Sequence, residues 1–362
     1  MIDLTAVRTT EGDVRAVADC YASGWLTMGP RTTQLEAAFA AATGADHAVA
    51  LSSGTAALHL ALQAAGVGPG DDVLLPALAH PAVDGLVRRL GATPVACDVV
   101  GPLDHGIDPA DVARRLTPAT RAVVVDHRWG YPVALPPLAA LLRGRGMALI
   151  EDAAHAVLAA GVGGGDLTCW SLSATKQLVA GEGGVVTTPH AHHADRVRSL
   201  RSHAMTSVTW DRHRGHAESY DVVEVGFNYR IDEPRAALAL HRLPRLADAL
   251  AHRRARVRDY RLRLGALDGV LVPYDEEAVA RGTHGAFGVL FADRGARDAV
   301  ATALTAARIA STPLDADGDV DPRALPHASA VRERGLRLPL HEVLGPEDVE
   351  RVCSVVAGAV AG

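Results

Sequence analysis

The chain has 362 residues, 48% of them hydrophobic and 22% charged, which is typical of a folded protein with a sizeable core. Its formal net charge of −6 gives no reason to expect nucleic acid or an anionic membrane surface as a partner. The four cysteines include no C-x-x-C pair, and we find neither a signal-peptide pattern nor a membrane-spanning apolar run, so we expect a cytoplasmic protein without disulfides or structural zinc.

Short apolar runs alternate with helical segments through the first half of the chain. We expect residues 1–30 to form an irregular N-terminal arm, after which RTTQLEAAFAAATG predicts a helix that ends at Gly44. The predicted strands that follow are HAVALSS, DVLLP, ATPVACDV, RAVVVDH, MALIED, CWSLSA and GGVVTT. Because many of these runs are apolar on consecutive positions, they suit strands that are covered on both faces. The sequence therefore predicts an α/β fold with a mostly parallel central sheet covered by helices, in a large domain at residues 31–250.

The remainder of the chain predicts a second, smaller unit. A long arginine-rich helical segment begins after Asp232, which can cap it, and leads away from the sheet. Beyond this segment, GAFGVLFAD predicts a strand, and ARDAVATALTAA and GPEDVERVCSVVAGAV predict helices. We therefore expect a small C-terminal α+β domain at residues 251–362.

Lys176, in the stretch CWSLSATKQLVAGEGGVVTT, is the only lysine among the 36 lysine and arginine residues. Arginine stays protonated at physiological pH, whereas a desolvated lysine amine can lose its proton and attack a carbonyl group. A composition that favours arginine so completely would be expected to replace a lysine that serves only as a surface charge. Lys176 is therefore a Schiff-base candidate, with a solvated surface lysine as the alternative.

Two predicted strand-to-helix junctions carry polar groups that could hold a ligand at the carboxyl edge of such a sheet. At the first junction, Ser53, Gly54 and Thr55 open a helix whose N–H groups suit an anion such as phosphate. Serine and threonine are also ordinary helix caps, so this signal is weak alone. At the second junction, Asp152 ends the strand MALIED, where a carboxylate can keep a cofactor's ring nitrogen protonated. Its place shortly before the only lysine favours this role over that of a helix cap.

Other ligand classes have weaker support. The glycine-rich pieces GVGPGDD and GVGGGDL do not follow a strand and open a helix in the G-x-G-x-x-G manner, so we do not expect a dinucleotide site. His190, His192 and His193 are close in sequence but lack a metal-binding spacing such as H-E-x-x-H. We interpret them as solvent-exposed residues at the start of a helix and expect no bound metal.

Several segments along nearly the whole chain occur in a characteristic order and spacing. They are GWLTMGP, VALSSGTAALHLAL, GATPVACDV, DHRWGYPV, IEDAAHA, SLSATKQLVAGEGGVVTT and GFNYRIDEPRAAL. Together they resemble the sugar aminotransferases of the DegT type, which are fold-type I pyridoxal-phosphate enzymes. The resemblance implies a fold-type I aminotransferase-like fold, pyridoxal 5'-phosphate as the cofactor, and a homodimer.

The resemblance also assigns catalytic roles to three residues. Lys176 would hold the cofactor covalently and serve as the proton shuttle, and Asp152 would pair with the pyridine nitrogen. His155, where the family often has glutamine, would lie near the cofactor's phenolic oxygen.

Further residues would bind the cofactor or the substrate. The phosphate would be held by groups from two strand ends and from the neighbouring subunit, namely Ser53, Gly54, Thr55, Ser171 and, acting from the other subunit, Asn228. His80 occupies the place where the family usually has an aromatic residue that stacks on the pyridine ring. Arg31, just after GWLTMGP, is a candidate for binding a substrate diphosphate, as are Arg214 and Arg254.

The resemblance predicts an enzyme that converts a keto group of a sugar to an amine with glutamate or glutamine as donor, in amino-sugar or antibiotic biosynthesis. A nucleotide-linked ketosugar is the first candidate substrate. A keto-cyclitol is the second, because the segment near Pro313 lacks the family's tyrosine- and histidine-bearing substrate residues. A sugar dehydratase of the same family is a further alternative, but the dehydratases that we compare carry histidine in place of Lys176. A non-catalytic protein with this fold is disfavoured because Lys176 and Asp152 are both retained.

Overall fold

The computed structural model describes residues 1–205, 221–314 and 323–361. The strands of the first part of the chain are β1 (His47–Leu51), β2 (Asp72–Pro76), β3 (Thr93–Cys97), β4 (Val99–Gly101), β5 (Asp104–Ile107), β6 (Thr120–Asp126), β7 (Ala148–Asp152), β8 (Leu167–Ser171) and β9 (Gly184–Thr188). Seven of them form one sheet in the order β1-β9-β8-β7-β6-β2-β3, and β4 pairs with β5. Strand β9 is antiparallel to both of its neighbours, whereas the pairs from β8 to β3 are parallel. The predicted α/β fold with a mostly parallel sheet is confirmed.

Helices cover both faces of this sheet. They are α1 (Glu11–Ala22), α2 (Pro30–Thr43), α3 (Gly54–Ala64), α4 (Pro81–Arg89), α5 (Pro109–Arg115), α6 (Leu135–Leu142) and α7 (Ala191–Arg201). In β6, Val124 packs into a core that includes α3, α4 and α7, whereas Val123 and Val125 pack into a core with α5 and α6. Because successive side chains of a strand point to opposite faces, a strand covered on both sides must be apolar at every position.

A four-stranded antiparallel sheet forms the second unit, in the order β10-β11-β13-β12. Its strands are β10 (Val270–Leu271), β11 (Phe287–Phe291), β12 (Thr312–Pro313) and β13 (Gly335–Leu338). Helix α8 (Glu233–Arg242) still packs into the core of the larger unit. The helices that accompany the second sheet are α9 (Leu246–Leu264), α10 (Glu276–Arg281), α11 (Arg294–Ala306), α12 (Pro326–Arg334) and α13 (Pro346–Ala361). In the described parts of the chain, no helix combines the length and apolar character needed to cross a membrane.

Helix α9 connects the two cores. Leu250 packs into the core of the larger unit, whereas Val257 and Leu264 pack into that of the smaller one. One continuous helix therefore crosses the predicted boundary between residues 250 and 251, and the domain limits stay a prediction.

One local expectation was wrong. The N-terminal arm is not irregular throughout, because α1 lies within it and begins at a capping box in which Thr10 and Asp13 bind each other's backbone N–H groups. Asp13 also pairs with Arg242 and Arg245 of the distant α8 region, and this tertiary contact has no signature in the arm itself. The long arginine-rich segment is two helices, because Pro244 lacks the N–H that a continuous helix requires.

Candidate active site

A cavity of about 250 Å³ opens at the carboxyl edge of the parallel strands. The strand register brings Asp126 at the end of β6 level with Asp152 at the end of β7, and Asp152 level with Cys169 of β8. Nearly all of the predicted cofactor-binding residues line this cavity, namely Ser53, Gly54, Thr55, His80, Asp152, His155, Ser171 and Lys176. The structure thus brings together groups that are far apart in the sequence.

The N-terminus of α3 forms one wall of the cavity together with Ser171. Ser53 caps the helix by accepting a hydrogen bond from the Ala56 N–H at 3.0 Å. A Cβ atom at Gly54 would lie only 2.8 Å from the Cβ of Ser171 and 3.1 Å from its hydroxyl oxygen. The absence of a side chain at Gly54 therefore lets the Ser171 hydroxyl approach the free N–H groups of the helix. This cradle of N–H and hydroxyl donors fits a phosphate group.

Lys176 is half-buried and lines the same cavity, in the turn after β8. Burial lowers the pKa of Lys176 from 10.5 to about 8, although the carboxylates of Asp152 and Asp126 oppose this shift. The positive charges of Arg337 and Arg128 lower it further. An amine with this pKa is partly neutral near physiological pH, as a nucleophile requires.

Asp152 faces the cavity and is 5% exposed. Burial raises the pKa of Asp152, and the negative charge of Asp126 adds to this effect. A hydrogen bond from the Ala154 N–H at 3.0 Å and the charge of Lys176 act in the opposite direction. A buried carboxyl group with a raised pKa would gain from a cationic partner, and a protonated ring nitrogen is such a partner.

His155 follows Asp152 in a tightly held turn. Its backbone carbonyl accepts hydrogen bonds from the Gln177 side chain and, at 3.2 Å, from the Thr283 hydroxyl. Burial lowers the pKa of His155 well below 6.5, and the charge of Lys176 adds to the shift. The imidazole is therefore neutral at physiological pH and can donate only one hydrogen bond from its ring.

Two of the predicted residues do not line this cavity, and a third, His80, also caps a helix. His80 lines the cavity and its ring nitrogen accepts a hydrogen bond from the Ala82 N–H at 3.2 Å, so it also serves as the cap of α4. Asn228 is exposed and does not line the cavity within one chain. Arg31 lines a separate cavity of about 370 Å³ between α1, α2 and α8. The roles of these three residues stay predictions, and Arg214 lies outside the described residues.

The sequence reasoning missed three charged residues that line the cavity, namely Asp126, Arg128 and Glu182. Asp126 and Arg128 line the cavity and form an ion pair at 3.2 Å. Asp126 ends a predicted apolar strand, as Asp152 does, so the same strand-end signal could have identified it. Arg128 had no comparable signal, because arginine is abundant throughout the chain.

A fully buried pair lies beneath these residues. Glu151 accepts hydrogen bonds from the His127 ring at 2.7 Å, from the Gly163 and Gly165 N–H groups, and from the Thr168 hydroxyl. Burial raises the pKa of Glu151, but the His127 ring and the two N–H groups outweigh it, and the net shift is downward. The other His127 nitrogen accepts from the Val133 N–H, which fixes the ring and the turn that carries Asp126 and Arg128.

Comparison with known proteins identifies the family. Residues 8–357 match the model of the DegT/DnrJ/EryC1/StrS aminotransferase family. The chain is 37% identical over 268 residues to the spore coat polysaccharide biosynthesis protein SpsC of Bacillus subtilis (strain 168), a match that covers 72% of this chain and 69% of SpsC.

Solved structures agree with this match. The aminotransferase TlmJ from Streptoalloteichus hindustanus is 33% identical, with a TM-score of 0.89 over 100% of this chain and 99% of TlmJ. The PLP form of the putative sugar aminotransferase Spr1654 from Streptococcus pneumoniae is 24% identical and shares the fold, with a TM-score of 0.88 over 98% of this chain and 97% of Spr1654. Membership of the matched aminotransferase family confirms the cofactor implied by the sequence, pyridoxal 5'-phosphate. The chain belongs to the DegT/DnrJ/EryC1/StrS family of pyridoxal-phosphate-dependent sugar aminotransferases.

Proposed function

We propose that this enzyme transfers the amino group of glutamate or glutamine to the keto group of a nucleotide-linked sugar, in amino-sugar or secondary-metabolite biosynthesis in the cytoplasm. The observation that carries the proposal is the placement of Lys176, Asp152 and the α3 N-terminus around one cavity. When bound there, pyridoxal phosphate supplies an aldehyde that carries the amino group and a protonated ring that accepts electron density.

Different residues of the cavity would bind different parts of this cofactor. The Ser171 hydroxyl and the N–H groups that follow Ser53 would hold the phosphate, in the space left free by Gly54. Asp152 would hold a proton on the ring nitrogen, because a buried carboxylate is stabilised by a cationic partner. His155 would donate its one ring hydrogen to the phenolic oxygen.

Lys176 would provide the covalent attachment and then move protons during the transfer. Its lowered pKa leaves a part of the amine neutral near physiological pH, so it can attack a carbonyl and later accept a proton. Reduction of the loaded enzyme with borohydride, followed by peptide mapping, should place the pyridoxyl group on Lys176. A label at another residue, or no cofactor after reconstitution, would contradict the assignment. Lys176→Ala should abolish turnover.

We further propose a homodimer in which Asn228 of the partner subunit completes each phosphate site. The exposure of Asn228, and of Val222 and Val225 before it, supports this proposal. Mixing the inactive Lys176→Ala protein with an inactive Asn228→Ala protein should restore part of the activity, since a mixed dimer holds one intact site. Full activity of a sedimenting monomer at assay concentration would rule out a shared site.

Two observations bear on the substrate. SpsC is a polysaccharide biosynthesis protein by name, and the family resemblance favours nucleotide-linked sugars. Arg31 lies outside the Lys176 cavity of its own chain, so it would have to act on a diphosphate in the partner's site. A nucleoside diphosphate at millimolar concentration should therefore inhibit, and Arg31→Ala should raise the KM of the sugar. If neither effect is found, a keto-cyclitol becomes the better substrate assignment.

A further inference from the structure

Asn228 lies in a short extended segment whose two flanking residues face inward. Phe227 and Tyr229 pack against the core that contains α3, whereas Asn228 between them is exposed. This alternation is what an extended backbone produces, and an antiparallel bridge pairs Asn228 with Ser202. The packing of the two inward rings therefore sets the place of the outward Asn228.

His59 of α3 contacts both of these rings. Its side chain is buried, and its Nδ1 lies 3.0 Å from the Tyr229 hydroxyl oxygen. The centre of the imidazole lies 5.0 Å from that of the Phe227 ring, and the Phe227 and Tyr229 rings stack on each other at 4.9 Å. Burial lowers the pKa of His59, and the positive charge of Arg89 adds to the shift, so the ring is neutral near physiological pH. His59 thus joins α3 to the segment of Asn228 by a hydrogen bond and by ring contacts.

The backbone of this segment is held beside the phosphate cradle of its own chain. The Tyr229 N–H donates to the Arg201 carbonyl at 3.0 Å, and the Tyr229 carbonyl accepts from the Ser52 N–H at 2.8 Å. Ser52 directly precedes the cap of α3, whose N-terminus forms the cradle. One helix therefore carries the phosphate donors of its own site at its N-terminus and, at His59, the anchor for Asn228.

We propose that His59 is a positioning residue for the phosphate of the partner's site: it holds Tyr229 and so fixes Asn228, which reaches that phosphate. The proposal rests on the shared site of the homodimer proposed above. An amide N–H binds a phosphate oxygen at about 2.7–3.2 Å, so a small displacement of Asn228 weakens the contact. Loss of the His59 ring would leave the Tyr229 hydroxyl without this partner and would loosen the segment. The defect should then appear in the opposite subunit.

The first test compares pyridoxal phosphate with pyridoxal, which lacks the phosphate, in fluorescence titrations of cofactor-free protein. His59→Leu should raise the Kd of pyridoxal phosphate by up to about tenfold, which is part of the roughly 10- to 100-fold rise expected when Asn228→Ala removes a hydrogen bond to a charged group. The Kd of pyridoxal should not change. His59→Asn keeps a polar group near the place of Nδ1 and should restore most of the affinity. An equal rise for both ligands would overturn the proposal.

Two further variants test whether His59 acts through its contact with Tyr229. Tyr229→Phe removes the same hydrogen bond from the other end, so the double variant with His59→Leu should bind no more weakly than either single variant. Effects that add in the double variant would contradict the proposal. His252→Leu is the matched control, because the His252 Nε2 also makes a 3.0 Å hydrogen bond, to the Leu344 carbonyl, and lies outside the Lys176 cavity. It should leave the ratio of the two Kd values unchanged.

Mixed dimers decide in which subunit His59 acts. Two subunits with different affinity tags are combined, and one of them carries Lys176→Ala, so borohydride can fix a pyridoxyl group only on the other. Because Lys176 is the only lysine, this label reports a single site. His59→Leu on the Lys176→Ala subunit should raise the pyridoxal phosphate concentration needed for half-maximal labelling, since that subunit supplies Asn228. On the labelled subunit, His59→Leu should have little effect.

The opposite pattern would overturn the proposal. A defect that appears only when His59→Leu is on the labelled subunit would mean that His59 acts on the α3 cradle of its own chain. Asn228→Ala, placed in the same two arrangements, tests the shared site by itself. If Asn228→Ala acts across the dimer and His59→Leu does not, the positioning role fails while the homodimer proposal stands. If Asn228→Ala on the Lys176→Ala subunit has no effect, the shared site fails, and the positioning role with it.

Discussion

Replacing Gly54 by alanine should damage the phosphate cradle while leaving the rest of the fold in place. The added Cβ atom would lie 2.8 Å from the Cβ of Ser171 and 3.1 Å from its Oγ. Carbon atoms normally stay about 3.5–4.0 Å apart, so either Ser171 or the start of α3 must move by several tenths of an ångström. Ser171 is paired with Gly184 of β9, so its backbone cannot move without disturbing that pairing.

We expect this overpacking to cost about 1–3 kcal/mol, mostly in the geometry that a bound phosphate requires. Since 1.4 kcal/mol corresponds to a factor of ten, the Kd of pyridoxal phosphate should rise by about 10- to 100-fold. The assay is a fluorescence titration of the cofactor-free protein with pyridoxal phosphate. A parallel titration with pyridoxal, which has no phosphate, should show a smaller difference between wild type and Gly54→Ala.

Two control variants test whether the added methyl group acts through its contact with Ser171. Gly85→Ala adds the same methyl group to an exposed position in α4 where no atom lies within 4 Å, so it should leave cofactor binding unchanged. Ser171→Gly removes the side-chain atoms that the Gly54→Ala methyl group would meet. The double variant Gly54→Ala/Ser171→Gly should therefore have a higher Tm than Gly54→Ala alone, although it still lacks the Ser171 hydroxyl. Wild-type affinity for pyridoxal phosphate in folded Gly54→Ala would refute the reasoning.

Three further predictions concern individual carboxylate groups. Asp126→Asn should lower the pKa of Lys176 below about 8, because it removes a negative charge that favours the protonated amine. The single NMR signal of ¹³C-labelled Lys176 measures this pKa. An unchanged pKa would mean that solvent screens the charge of Asp126 from Lys176. Glu151→Gln should lower the Tm at neutral pH. The lowered pKa of Glu151 stabilises the fold above its ordinary pKa of 4.5 and loses that effect as the pH falls, so the Tm difference should shrink below pH 4.5 and not grow. Glu233→Gln should destabilise the protein by about 1.5–3 kcal/mol in urea unfolding. The reason is that the Glu233 carboxylate accepts hydrogen bonds from the N–H groups of Gly29, Arg31 and Thr32 at the start of α2. An unchanged urea midpoint would show that the neutral amide caps this helix equally well.

The sequence by itself determined the fold class and pointed to most of the residues that line the Lys176 cavity. The strands could be predicted because both faces are covered, which makes them apolar at consecutive positions. The site could be predicted because its parts have local signatures: a helix start at Gly54, a carboxylate at the end of a strand at Asp152, and the only lysine at Lys176. These signals lie at strand ends, and parallel strands bring their carboxyl ends to one edge.

Only the tertiary structure decided the features that depend on contacts between distant segments. The register of β6 against β7 sets Asp126 level with Asp152, and Arg128 pairs with Asp126 at the same cavity. The strand-end signal marks Asp126, but only the register shows that it lies beside Asp152. Arg128 could not be predicted, because one arginine among many carries no sign of which surface it will meet. Helix α1 depends in the same way on the pairing of Asp13 with arginines near the end of α8, which contributes stability only after the chain has folded.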